Sequence, residues 1–234
     1  NIGENVQTIP AYAFSYCGLT SVTIPAGVTS IGNGAFKNCK SLTTVNYNAI
    51  NCTTRKESEH GNYSPPFSGC NKLTTVNIGE NVQTIPAYAF SYCGLTSVTI
   101  PAGVTSIGND AFSDCNSLTT VNYNAINCTT KTESEYNYYP PFSGCYNLTT
   151  LNIGENVQTI PNNIFSSCGL TSVTIPAGVT SIGSGAFKNC ESLTTVNYNA
   201  INCTTKTEYS DYYSSYPPFS GCYNLTTLNI GENV

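Results

Sequence analysis

The sequence has neither methionine nor tryptophan and only one histidine, and charged residues fill just 9% of its 234 positions, against about 25% in an average domain. Eight Lys and Arg against thirteen Asp and Glu give a formal charge of −5. The cations are scattered, which excludes the basic stripe of a nucleic-acid interface and the polybasic run that holds anionic lipid. No apolar stretch approaches the ~20 residues that span a bilayer. No Cys-x-x-Cys pair, Gly-rich phosphate loop or calcium loop occurs, so no metal or cofactor is expected. The lone His60 has no Ser-His-Asp arrangement to serve. The carboxylates Glu57 and Glu59, repeated as Glu133 and Glu135 but respaced as Glu208 and Asp211, read as solvated loop residues rather than an acid–base pair. An enzyme is not expected. The chain opens at Asn1 with no initiator Met and no secretion signal, and so reads as a segment of something longer.

What the sequence does have is repetition, 17 Tyr and 12 Cys. The hexapeptide Asn-Ile-Gly-Glu-Asn-Val starts at Asn1, Asn77, Asn152 and Asn229, at intervals of 76, 75 and 77 residues. The chain is therefore three near-copies (1–76, 77–151, 152–228) plus the start of a fourth, in one continuous array. Within each copy, Leu-Thr-(Ser/Thr)-(Val/Leu)-x-(Ile/Tyr) recurs at Leu19, Leu42, Leu73, Leu95, Leu118, Leu148, Leu170, Leu193 and Leu225. The basic unit is thus 22–23 residues, and every third one is enlarged by an insert of about eight. A Phe column (Phe36, Phe67, Phe112, Phe142, Phe187, Phe219) precedes most of these leucines by six residues. A Cys precedes them by three (Cys39, Cys70, Cys115), or by two in the Cys-Gly-Leu variant (Cys17, Cys93, Cys168).

Leu19, Val22 and Ile24 have LxxLxL spacing, which sends Val22 and Ile24 inward and Ser21 and Thr23 outward from a strand. Pro25-Ala-Gly27 breaks that strand. Val28 and Ile31 form a second short apolar segment, and 33–38 reads as a single helical turn leading to Cys39. One coil cannot bury its apolar residues alone; stacked coils bury them against each other. The recurring Ile-Pro, Ile-Gly, Ala-Phe and Cys (Ile100-Pro101, Ile107-Gly108, Ala111-Phe112, Cys115) resemble the BspA-like leucine-rich-repeat family over essentially the whole chain. The resemblance implies a right-handed leucine-rich-repeat solenoid of about nine coils, with a parallel sheet on one face and short strands, turns and single helical turns on the other. It also implies a secreted or cell-surface protein, often an adhesin. Two features depart from the pattern: Asn48–Cys52, Asn124–Cys128 and Asn199–Cys203 replace Pro-Ala-Gly-Val, and neither end carries an atypical capping unit.

Cysteines of the pre-strand column sit ~4.8 Å from their neighbours, within disulfide reach by distance alone, yet a buried, reduced ladder serves equally as small apolar filling. Cys52, Cys128 and Cys203 come only with the insert. Each can pair with the Cys that closes it, as Cys52–Cys70, Cys128–Cys145 and Cys203–Cys222, in an oxidising compartment. Sequons at Asn51, Asn127 and Asn202 are candidate glycosylation sites.

The copies differ most in the inserts, which are Tyr-rich: Tyr63, then Tyr136, Tyr138 and Tyr139, then Tyr209, Tyr212, Tyr213 and Tyr216, each run closing in Pro-Pro-Phe. Tyr, Ser and Asn loops on a rigid scaffold are the composition of paratopes. Recurring every third coil, ~15 Å apart, they suit multivalent contact with a protein or glycan surface. The outward strand positions Ser21, Thr23, Thr44, Asn46, Thr75 and Asn77 offer a second, uncharged face for polar packing or glycan contact. An alternative of another class is a fibre protomer or stalk assembled by end-to-end stacking, since both ends fall at the same phase of the repeat.

Overall fold

The computed structural model describes residues 2–54, 63–131, 139–205, 216–232 and 234. The first block of the chain carries β1 (Thr8–Ile9), β2 (Ser21–Ile24), β3 (Ser30–Ile31), β4 (Thr44–Tyr47), β5 (Thr53–Thr54) and β6 (Thr75–Ile78). The second carries β7 (Thr84–Ile85), β8 (Ser97–Ile100), β9 (Ser106–Gly108), β10 (Thr120–Tyr123), β11 (Thr129–Lys131) and β12 (Thr150–Ile153). The third carries β13 (Thr159–Ile160), β14 (Ser172–Ile175), β15 (Ser181–Ile182), β16 (Thr195–Tyr198), β17 (Thr204–Thr205) and β18 (Thr227–Ile230). Each coil runs from a short strand through a turn to a four-residue strand, and the next coil stacks in parallel upon it. The chain is a leucine-rich-repeat solenoid.

The register follows the sequence repeat. Val22, Val45 and Val76 stand opposite one another, as do Ile24, Tyr47 and Ile78. These positions and the Leu column form the interior: Leu42, Val45 and Tyr47 are fully buried, as are Leu73, Leu118, Val121 and Tyr123. Each such apolar side chain stabilises the stack by roughly 1.5–3 kcal/mol. The Phe column is longer than its sequence signature. Phe14, Phe36, Phe67, Phe90, Phe112, Phe142, Phe165, Phe187 and Phe219 stack in one uninterrupted file with ring centroids 5.0–5.8 Å apart.

The segment 33–38 is not a helical turn. Gly34 and Asn38 have φ of 57°, so left-handed residues flank Ala35–Lys37 on both sides and no helix can propagate. Ala35, Lys37 and Cys39 donate back three residues, closing tight turns, while Gly34, Phe36 and Asn38 donate to the carbonyls of Ser64, Pro66 and Ser68 in the next coil. The turn face is therefore a third hydrogen-bonded ladder.

The ladders are interrupted in register. The strands form six three-stranded sheets, β1-β3-β5 with β2-β4-β6, β7-β9-β11 with β8-β10-β12, and β13-β15-β17 with β14-β16-β18. Between β6 and β8, and between β12 and β14, no backbone hydrogen bond joins the strands among the described residues. Two local features coincide there. Cys93-Gly94-Leu95 and Cys168-Gly169-Leu170 are one residue short, drawing Gly94 against the Asn71 carbonyl and Gly169 against that of Tyr146. Pro65 and Pro140 also occupy a turn position that donates an N–H elsewhere. What crosses these seams is the Phe file, the Tyr47–Phe90 and Tyr123–Phe165 edge contacts, and a clamp on the short-strand side. There Gln83 and Thr84 donate to the Ile50 carbonyl and Thr54 Oγ1 donates to that of Ala87.

Candidate functional site

The three inserts leave the coil after β5, β11 and β17 and return at the Pro-Pro-Phe turns. The return points are fixed by backbone bonds: the carbonyls of Ser64, Tyr139 and Tyr216 accept from Gly34 (2.9 Å), Asp110 (3.4 Å) and Gly185 (2.9 Å). Of the Tyr residues expected to make contacts, Tyr136, Tyr138, Tyr209, Tyr212 and Tyr213 lie outside the described residues. Tyr63 is half-buried and packs edge-on against Tyr88, centroids 4.9 Å apart. Tyr139 is 49% exposed and Tyr216 38%. The Lys188 ammonium stands 3.2 Å from the centroid of the Tyr216 ring, while the corresponding Lys37 donates to Ser64 Oγ at 3.0 Å.

Further tyrosines join this face that the insert composition did not single out. Tyr12, Tyr16, Tyr88 and Tyr92 sit at φ of 55–59°, positions filled in other coils by Gly, Asn, Asp, Ser or, before the Phe, Pro. Left-handed backbone costs a bulky L-residue roughly 1–2 kcal/mol, and Tyr12, Tyr16 and Tyr92 remain exposed. Their sequence signal was available: Tyr two residues before and after Phe14 and Phe90, where the other coils carry small polar residues. Burial, and then the neighbouring Asp114 carboxylate, push the Tyr92 hydroxyl up.

The cysteines fall into two environments. Cys39, Cys70, Cys115, Cys145, Cys190 and Cys222 donate to the Phe carbonyl of the preceding coil at 3.1–3.2 Å. At the seams the bond lapses: Cys93 turns to Ser91 O at 3.7 Å, and Cys168 lies 3.9 Å from Phe142 O. Cys52, Cys128 and Cys203 lie elsewhere, beside Tyr47, Tyr123 and Tyr198, with thiols donating to Thr53, Thr129 and Thr204 at 3.5–3.7 Å. All twelve cysteines are free thiols in the structure. Burial pushes Cys52 up to about 11, and Cys70 and Cys128 up to about 12, opposed in part by hydrogen bonds.

The sequon asparagines Asn51 and Asn127 are exposed, but each is a seam clamp. Asn51 Nδ2 donates to Gln83 Oε1 at 3.0 Å and its Oδ1 accepts from Thr84; Asn127 repeats this with Gln158 and Thr159. Asn202 is exposed at the edge of the last short strand. On the long-strand face, Asn46 donates to Thr23 and Asn77 to Asn46, a pattern repeated from Thr99 to Asn152 and from Thr174 to Asn229. The outward polar row is thus bonded along each block, beside a shallow uncharged depression lined by Asn48, Ile78 and Gly79.

Among the described residues no group of three or more His, Cys, Asp or Glu could hold a metal, and no helix is long and apolar enough to cross a membrane.

Against known proteins, the family model for the BspA type leucine rich repeat region matches residues 1–119, 61–138 and 138–234, in six copies. No curated protein matches. Among solved structures, a leucine rich cell surface protein from Faecalibacterium prausnitzii is 22% identical, with 97% of this chain and 83% of that one aligned at a TM-score of 0.36. A leucine-rich repeat protein from Bacteroides ovatus is 24% identical over 98% of this chain and 65% of its own, at 0.42. The pneumococcal vaccine antigen PcpA is 15% identical over 96% and 60%, at 0.41.

Proposed function

Because the chain belongs to the BspA-type leucine-rich-repeat family, we propose that it is a non-enzymatic repeat protein of the cell surface or the secreted fraction, binding a protein or glycan partner through the Tyr-rich loops inserted in every third coil. One observation carries this reading. The coils close their own hydrogen bonds on three faces and hold each insert's return point by a fixed backbone bond, so the inserts vary on a frame that does not. Loops displayed on an invariant scaffold are where recognition concentrates. The Tyr rings that mark the return points, Tyr139 and Tyr216, are exposed rather than used to fill the core, and rigid amphipathic Tyr gives contact area at low entropic cost. Repetition at every third coil gives avidity to individually weak contacts.

The test is to cut the three inserts to the 23-residue spacing of the plain coil and measure binding to host-cell or matrix material. The array is expected to stay folded and to lose most of its binding. Unchanged binding by a folded, trimmed array refutes the assignment.

A further inference from the structure

The three blocks differ most in their inserts and agree most on the long-strand face. Surface positions elsewhere have drifted between blocks: Lys40 corresponds to Asn116 and Glu191, and Tyr16 to Tyr92 and Ser167. The shallow depression over β2, β4 and β6 is different. It measures about 400 Å³ and is lined by Thr23, Asn46, Asn48, Asn77, Ile78 and Gly79. All six residue types recur at the same places in the second block (Thr99 to Gly154) and in the third (Thr174 to Gly231). Its asparagines do not fill the core; Asn48 and Asn77 are exposed and Asn46 is half-buried.

The polar groups of the depression are held in fixed directions. Asn46 Nδ2 donates to Thr23 Oγ1 at 3.3 Å, and Asn77 Nδ2 donates to Asn46 Oδ1 at 2.8 Å. That row takes one N–H of each amide and a lone pair of the Thr23 hydroxyl. The second N–H of each amide and the Thr23 proton remain to donate. Gly79 leaves room for a third amide, since a Cβ there would stand 2.6 Å from Asn48 Oδ1. The same bonds and the same close approach recur at Gly154 and Gly231. Donors and acceptors are thus mixed over one small hollow. Its apolar part is Ile78, half-buried against the core, and no ionisable side chain lines it.

We propose that this depression binds a neutral oligosaccharide, at one site per block. A hydroxyl both donates and accepts, so a mixed set of amides and a threonine hydroxyl suits a sugar, and Ile78 offers a surface to its C–H face. A charged ligand would find no counter-charge in the lining. A protein partner anchors through aromatic or Arg side chains seated in well-packed pockets, which a shallow polar hollow does not provide. Repeated every third coil, ~15 Å apart, the three sites form one row, along which a chain of sugars gains affinity from contacts that are weak singly. The site is separate from the inserts and does not rest on their being contact loops.

The probe is an array of immobilised neutral, sialylated and sulfated oligosaccharides, exposed to the full chain. Retention on the neutral glycans alone is expected. Asn48→Ala, combined with Asn124→Ala and Asn199→Ala, should lower it by about tenfold or more, because every linked site is weakened at once. Thr23→Val, combined with Thr99→Val and Thr174→Val, keeps the β-branched shape, removes the hydroxyls and should lower it as well. Circular dichroism checks that each set is folded, and either folded set suffices for the test. Retention on no glycan, retention on the acidic glycans alone, or undiminished retention by a folded variant set overturns the proposal. Cutting back the three inserts should leave glycan retention unchanged. A folded, trimmed array that no longer retains neutral glycans assigns the sugar to the inserts and overturns the separate site. One that keeps them but loses host material supports both readings, and one that keeps both sinks the contact loops alone.

Discussion

Gly94 and Gly18 hold the same place in equivalent coils, and the structure gives them opposite fates on substitution by alanine. A Cβ on Gly94 would stand 2.6 Å from the Asn71 carbonyl oxygen across the first seam; nothing lies within 4 Å of one on Gly18. Neither glycine has positive φ, so alanine costs nothing in backbone strain at either and gains about 0.4–1 kcal/mol by restricting the unfolded chain. At Gly18 that gain is the whole effect. At Gly94 the methyl meets backbone, which cannot swing aside as a side chain would, and overpacking of this kind costs about 1–3 kcal/mol. The net expectation is a stabilised Gly18→Ala and a Gly94→Ala destabilised by about 1–2 kcal/mol. In a stack whose stability is a sum of unit and nearest-neighbour terms, the loss at Gly94 falls on the coupling between the first and second blocks. Urea denaturation followed by circular dichroism should therefore show a raised midpoint for the first variant. The second should show a lowered or split transition, with hydrogen exchange by mass spectrometry locating the early opening at β6–β8. If Gly94→Ala is as stabilising as Gly18→Ala, the close approach at the seam does not exist.

Phe112→Ala, in the middle of the aromatic file, should cost about 3–5 kcal/mol and Phe14→Ala, 36% exposed at its start, clearly less; a thermal melt separates them. The buried thiols Cys52, Cys70 and Cys128 should be almost inert to a thiol reagent at pH 8 and react fully in denaturant, since burial holds them at about 11–12, while the half-buried Cys17 and Cys203 should react faster. For the same reason stability should be level up to about pH 9 and fall between about 9 and 12. The unfolded thiol, at its ordinary value of 9.0, loses its proton before the folded one, so the folded state binds more protons in that window and is penalised as pH rises. Among the described residues the buried Tyr47 hydroxyl, beside the Cys52 thiol, has no hydrogen-bond partner, so Tyr47→Phe should be neutral or stabilise by up to about 1 kcal/mol; a destabilisation of more than about 1 kcal/mol refutes the assignment.

The strand positions, the inward Leu and Val, and the Phe and Cys columns were legible because burial in a stack repeats with the sequence and needs no long-range information. The turn at 33–38 was misjudged because Gly34 and Asn38, four apart, suit a helical turn as well as a pair of left-handed residues, and only the carbonyls of the next coil decide between them. The seams were present in the sequence as Cys-Gly-Leu and Pro-Pro, but a missing hydrogen bond has no signature until the neighbouring strand is in place.

The seams give the array a mechanical grain. Within a block every coil is riveted to the next by rows of backbone bonds, while neighbouring blocks are joined by a continuous aromatic keel and a clamp along one side. Drawn out lengthwise, such a chain yields block by block rather than coil by coil, each release paying out some 76 residues, a length of roughly 250 Å. An array built this way should give way in a few large steps and leave the remaining blocks folded.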